Sequence, residues 1–186
     1  MTSYAVFLRG VNVGGINIKM ADLQKALKQC SFKNVKTLLA SGNVVLTSDL
    51  DPASLKKQFE ACLREAFGYD AWVVVLTCQR VADLVQACPY PADDKSTHSY
   101  VTLSSDPAML DDMVTAAVTL EGGETDGNGV QRLGPEALAW LAPAGGTLES
   151  PVSKVSAKAR YKSTTTTRNL RTLIKVRDAA KALSEV

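Results

Sequence analysis

The chain has 186 residues, 46% of them apolar and 22% charged, with a formal net charge of +2. That is an ordinary composition for a soluble globular protein, and the length suits one good core or two small halves sharing one. No apolar run approaches the ~20 residues of a spanning helix, and four cysteines without a C-x-x-C pair and a single histidine, His98, leave few strong ligands for zinc.

The start, Met1-Thr2-Ser3, leads directly into an apolar stretch without a basic flank or cleavage site, so no secretory signal is expected. Tyr4 to Leu8 reads as a strand buried on both faces. After the loop Arg9-Gly10-Val11-Asn12-Val13-Gly14-Gly15, the spacing of Met20, Leu23, Ala26 and Leu27 predicts a helix over Met20 to Gln29. Val35 to Leu39 and Val44 to Leu46 flank Ser41-Gly42-Asn43, a hairpin signal. Asp51-Pro52 opens a helix that Gly68 ends, and Trp72 to Leu76 is the next strand. The order is β-α-β-β-α-β, the split βαβ of ferredoxin-like folds. In that order the last strand is an edge, and its apolar character on both faces predicts that other segments cover it.

A short helix over Val81 to Ala87 leads to Pro89-Tyr90-Pro91-Ala92-Asp93-Asp94, the best hinge candidate. The order then repeats: a strand over Ser99 to Leu103 and a helix opened by Asp106-Pro107. A loop over Gly122 to Gly129 precedes a hairpin around Gly134-Pro135-Glu136, and a helix starts at Ser150-Pro151. No final strand is evident in this half. The expected fold class is α+β, with two ferredoxin-like (βαββαβ-type) halves packed together over residues 1–88 and 97–186. The second half carries a C-terminal basic helix from about Thr167 to Leu183.

Charge is distributed in blocks. Residues 100–150 hold one basic and eight acidic groups, and residues 151–186 hold nine basic and two acidic groups. Either the basic C-terminus faces an anion or it folds back on the acidic block, and composition leaves both open. The cysteines Cys30, Cys62, Cys78 and Cys88 are expected as free thiols in a reducing cytoplasm.

Three polar stretches look like neither core nor linker: Arg9 to Gly15, Ser41 to Asn43, and Thr164 to Asn169. Glycines between a strand and a helix let backbone N–H groups approach a ligand, and an arginine adds a bidentate donor. The first loop is neither G-x-G-x-x-G nor G-K-[ST], so dinucleotide and P-loop chemistry are not implied. The second also fits plain turn chemistry. In the third, Thr166 or Thr167 is expected to cap the last helix, which places Arg168, Arg171 and Lys175 on one cationic face. Cations in a first turn oppose the helix dipole unless an anion compensates. The expected anion- or ligand-binding residues are Arg9, Asn12, Gly14, Gly15, Ser41, Asn43, Arg168, Asn169 and Arg171, converging on one cleft. No metal site, cofactor or membrane contact is expected, and the oligomeric state is open.

Taken together, Leu8 to Gly15, Ser41-Gly42-Asn43-Val44-Val45 and Thr166-Thr167-Arg168-Asn169 resemble the signatures of the family called "domain of unknown function 1697". Leu170 stands where that pattern usually has tryptophan, so no stacking role carries over to it. The resemblance implies an α+β fold with ferredoxin-like halves and supplies no activity or substrate. Three classes of function remain compatible with the residues. They are a binding module for a phosphate-bearing ligand (nucleotide or nucleic acid), a small-molecule enzyme using arginine anion clamps, and a non-catalytic structural or interaction protein. No nucleophile, acid or base stands near the motifs except Ser41, and nothing in the sequence activates it.

Overall fold

The computed structural model describes residues 1–11, 17–120 and 129–184. The chain divides into two compact units, Met1–Asp83 with Ile174–Val186, and Leu84–Leu173.

In the first unit β1 (Thr2–Arg9), α1 (Met20–Gln29), β2 (Lys33–Leu38), β3 (Asn43–Ser48), α2 (Pro52–Phe67) and β4 (Trp72–Thr77) follow in order, and α3 (Cys78–Ala87) begins at its end. The strands form an antiparallel sheet in the order β2-β3-β1-β4. Alternation along β1 decides the two faces. Tyr4, Val6 and Leu8 pack with Val44, Val73 and Val75 against Leu23 and Leu27 of α1 and Leu55, Phe59 and Leu63 of α2. Ala5 and Phe7 lie on the other face with their register partners Val45, Leu76 and Val74, and these too are buried.

The caps behave as local chemistry requires. Asp51 accepts from the N–H groups of Ala53 and Ser54 at 3.0 Å, with Pro52 in the first turn. Gly68 closes α2 at φ +68°, a left-handed conformation that costs glycine little.

The second unit repeats this order. After α3 it contains β5 (Thr97–Ser104), α4 (Pro107–Leu120), β6 (Gln131–Gly134), β7 (Ala137–Pro143), α5 (Pro151–Ser156), β8 (Thr165–Asn169) and the first residues of α6 (Leu170–Ser184). Its antiparallel sheet runs β6-β7-β5-β8, position for position the order of the first. Leu138, Trp140 and Ala142 pack against Leu110, Met113 and Ala117 of α4 and Val152 and Val155 of α5. The fold is therefore α+β, with two four-stranded antiparallel sheets and a C-terminal helix.

Three expectations need correction. The second half does have its final strand: the threonine run forms β8 and pairs with β5 from Tyr100–Asn169 to Ser104–Thr165. The C-terminal helix consequently starts at Leu170, not near Thr167. Cys30 and Cys62 are not free thiols but form a disulfide between the end of α1 and α2. Cys78 and Cys88 are free. The loop expected over 122–129 falls, up to residue 128, outside the described residues.

The edge strand β4 is guarded as well as covered. Val73, Val74, Val75 and Leu76 are all buried. On α2, Lys56 and Glu60 form an ion pair and both reach the outer backbone of β4. The Val73 N–H donates to Glu60 Oε1 at 2.9 Å, and Lys56 Nζ donates to the Val73 carbonyl at 2.8 Å. Side chains thus occupy ladder positions that a neighbouring strand would otherwise use.

Candidate functional site

Two of the three motifs meet in the first unit. The β2–β3 turn folds over the end of β1, where the Leu8 N–H donates to the Gly42 carbonyl at 2.8 Å. Gly42 holds φ +73°, and a Cβ there would lie 3.0 Å from Leu8 Cβ and 3.5 Å from Val11 Cβ. The left-handed backbone favours glycine, and the approach to Leu8 leaves little room for a side chain. Gly10, immediately after Arg9, also takes a positive φ of 76°.

Arg9 is the last residue of β1, in register with Trp72 of β4. By alternation it shares the face of Phe7, the face turned away from α1 and α2. Asn43, the register partner of Phe7, lies on that same face and is fully buried. Burial pushes the half-buried Arg9 guanidinium below its ordinary pKa. Asn43 closes the hairpin, its Nδ2 donating to the Leu38 carbonyl and to Ser41 Oγ, both at 3.0 Å. Asn12, Gly14 and Gly15 lie outside the described residues.

The third motif sits in the second unit. Because it is a strand and not a helix start, Thr166 and Arg168 point to one face and Thr167 and Asn169 to the other. Arg168 is 6% exposed, and its Nη1 donates to Thr166 Oγ1 at 2.8 Å and to the Thr167 carbonyl at 2.9 Å. The expected cationic face of Arg168, Arg171 and Lys175 does not form, since Arg168 belongs to β8. On the other face, Thr167 shares a hydroxyl bond of 2.8 Å with Thr102, which accepts from Trp140 Nε1 at 3.0 Å. The helix cap is Asn169, whose Oδ1 accepts from the Arg171 N–H at 2.9 Å, in place of the expected threonine. Arg171 is exposed at the start of α6. Arg177 binds the exposed Asp178 at 2.9 Å. His98 is a half-buried residue of β5.

Part of the charge asymmetry is internal pairing. Arg160 binds Asp112 at 2.8 Å and Lys154 binds Glu149 at 3.0 Å, so two bases of the C-terminal block fold back on the acidic block. Arg160 and Asp112 also both bond the buried Tyr161 hydroxyl at 2.6 Å. Positions 1–99 are nearly balanced, with 11 basic and nine acidic residues. Lys19, Lys25, Lys28, Lys33 and Lys36 are on or beside α1 and β2, and their side chains reach solvent. Among the described residues no group of three or more His, Cys, Asp or Glu side chains is placed to hold a metal ion. None of the described helices is long and apolar enough to cross a membrane.

These features define an α+β protein built on two antiparallel sheets, with a glycine-pinned junction of strand end and hairpin in the first unit. A solved structure of the conserved bacterial protein SP0830 from Streptococcus pneumoniae is similar across 97% of this chain and 99% of its own. The TM-score is 0.77 at 21% identity, a likeness of fold. The chain belongs to the family described as "protein of unknown function (DUF1697)", whose model matches residues 1–128. That span contains the first two motifs and stops short of Thr164 to Asn169. No curated protein matches the chain.

Proposed function

We propose that the junction of β1 and the β2–β3 turn binds a phosphate-bearing ligand through Arg9. The observation that carries this reading is the placement of a desolvated guanidinium at a strand end, beside a turn clamped to it by the Leu8–Gly42 bond. A planar guanidinium donates two parallel bonds to a phosphate or carboxylate, and an anion there offsets the desolvation that lowers its pKa. Ser41 and Asn43 serve the site by shaping the turn, since Asn43 already spends its amide on Leu38 and Ser41. A small phosphate ester such as a nucleotide is the ligand class this reading favours, and no catalytic step is assigned to it.

The test is titration with inorganic phosphate and nucleoside mono- and diphosphates, followed by amide chemical shifts and calorimetry. Shifts should concentrate on residues 8–11 and 41–43. Arg9→Ala should weaken binding by about 10- to 100-fold, the loss of one charge-assisted contact of roughly 1.5–3 kcal/mol. Arg9→Lys should recover only part, because a point charge does not replace the fork. Absence of phosphate-induced shifts at these residues, or unchanged affinity in Arg9→Ala, overturns the reading.

A further inference from the structure

We infer that Trp72 is the platform on which the base of a mononucleotide stacks while Arg9 holds its phosphate. The inference rests on the Arg9 reading above and adds the group that recognises the rest of the ligand. Trp72 opens β4 in direct register with Arg9, the last residue of β1. Residues opposite one another in an antiparallel pair share a face, with Cβ atoms about 4.5–5.5 Å apart. The indole and the guanidinium therefore start side by side at the end of the first sheet. They share the face turned away from α1 and α2, where Phe7 and Val74 form the next row.

The two tryptophans of the chain are used differently. Trp140 is 2% exposed, its Nε1 donates to Thr102 Oγ1 at 3.0 Å, and its ring stacks on Tyr100 with centroids 4.7 Å apart. Both its polar atom and its ring are thus occupied within the second unit. Trp72 is half-buried, and among the described residues its Nε1 has no acceptor and its ring no aromatic or cationic neighbour. That Nε1 is not among the buried unpartnered atoms, so it reaches solvent. The nearby half-buried aromatics Phe67 and Tyr69 pack against the core beneath α1 and α2, a cluster to which Trp72 does not belong. Val74 and Leu76, on the same face of β4, are buried aliphatic side chains, so filling space there does not call for an indole. Tryptophan suits a position with one apolar side and one wet side.

Charge and span select the ligand. The acids beside the start of β4 are already matched, Glu60 with Lys56 and Asp70 with Arg64. An anion at Arg9 therefore meets no unpaired carboxylate from these residues. The guanidinium supplies a bidentate fork for phosphate. Every nucleobase has a π-face to lay on an indole, which inorganic phosphate and a bare sugar phosphate lack. In a nucleoside monophosphate one ribose separates base from phosphate, a span that suits neighbouring positions in one row of a sheet. A longer single strand needs a succession of platforms along a basic groove. The next aromatic on this face, Phe7, is fully buried, so the site ends after one base.

The test titrates the full chain with inorganic phosphate, ribose 5-phosphate, adenosine and AMP, read by calorimetry and tryptophan emission. AMP should bind roughly 5- to 150-fold more tightly than ribose 5-phosphate, the range that stacking one base supplies. AMP should also quench emission, and phosphate should not. Trp72→Leu keeps apolar bulk without a π-face. It should erase the advantage of AMP while phosphate affinity stays at the parent value, and the remaining Trp140 emission should not respond. Trp72→Phe should keep part of the advantage. A Trp72 that only supports the fold would, on replacement, lower phosphate and AMP affinity together, and that result overturns the assignment. An unchanged AMP advantage in Trp72→Leu overturns it as well, as does an oligonucleotide binding far more tightly than AMP. The two readings fail differently. If phosphate, ribose 5-phosphate and AMP bind alike, the Arg9 site stands and the platform is refuted. If adenosine and AMP bind alike and Arg9→Ala changes neither, the Arg9 reading falls and the nucleotide assignment falls with it.

Discussion

Replacing Glu60 by alanine tests how the β4 edge of the first sheet is held. Glu60 Oε1 accepts from the Val73 N–H at 2.9 Å and pairs with Lys56, whose Nζ donates to the Val73 carbonyl at 2.8 Å. The Val73 side chain is buried, so removing the acceptor strands a backbone donor near the core, at about 1–3 kcal/mol. The Lys56 and Glu60 side chains are 24% and 19% exposed. Solvent therefore screens part of their ion pair, which adds at most ~1 kcal/mol. The expected total is about 1–4 kcal/mol, or a fall in Tm of roughly 2–16 °C for a chain of this size. Glu60→Gln keeps an acceptor for Val73 and should cost less than half as much. Urea and thermal melts followed by circular dichroism give both numbers, and a cycle with Lys56→Met isolates the pair. A Glu60→Ala variant within about 0.5 kcal/mol of the parent refutes the bracing argument, as does Glu60→Gln falling as far as alanine.

Loss of the Cys30–Cys62 disulfide, by reduction or by the Cys30→Ser/Cys62→Ala pair, should lower stability by about 3–4 kcal/mol, since it closes a loop of sequence separation 32. Thiol counting should find two reactive cysteines in the unfolded, non-reduced protein and four after reduction; four without reduction contradicts the bridge. In the folded protein, burial pushes the Cys78 thiol up to about 11 and raises that of Cys88. The raised value keeps the thiol protonated, so alkylation of Cys78 should be slow at neutral pH and keep accelerating beyond about pH 9; a plateau near 9 argues against the burial. Gly42→Ala should destabilise the first unit by about 1–3 kcal/mol through its left-handed backbone and the 3.0 Å approach to Leu8, and should weaken phosphate binding at Arg9. Neutrality in both measurements would remove the glycine-pinned junction from the account.

The local punctuation of this fold is legible in the residues alone. Asp51-Pro52, Gly68 and Ser150-Pro151 mark helix ends because capping is settled within four residues of chain, and all three act as expected. Tyr4 to Leu8 and Trp72 to Leu76 read as doubly buried strands because their side chains are apolar on both faces. Arg9, Gly42 and Asn43 stand out for their chemistry, but the bond between Leu8 and Gly42 joins segments far apart in sequence, and only folding brings them together. β8 escapes a reading of the sequence for the same reason. Thr165, Thr166 and Thr167 look like a polar cap until Tyr161, Arg168 and Thr102 supply hydroxyl partners and β5 supplies the ladder. That one change of element sends Arg168 and Asn169 to opposite faces, because a strand alternates where a helix start would not. The Cys30–Cys62 bridge likewise follows from the packing of α1 on α2, which no spacing of cysteines encodes. Sequence thus determined which segments turn, cap and bury; tertiary structure decided which polar groups are already occupied, because a hydrogen-bond partner is chosen in space and not along the chain.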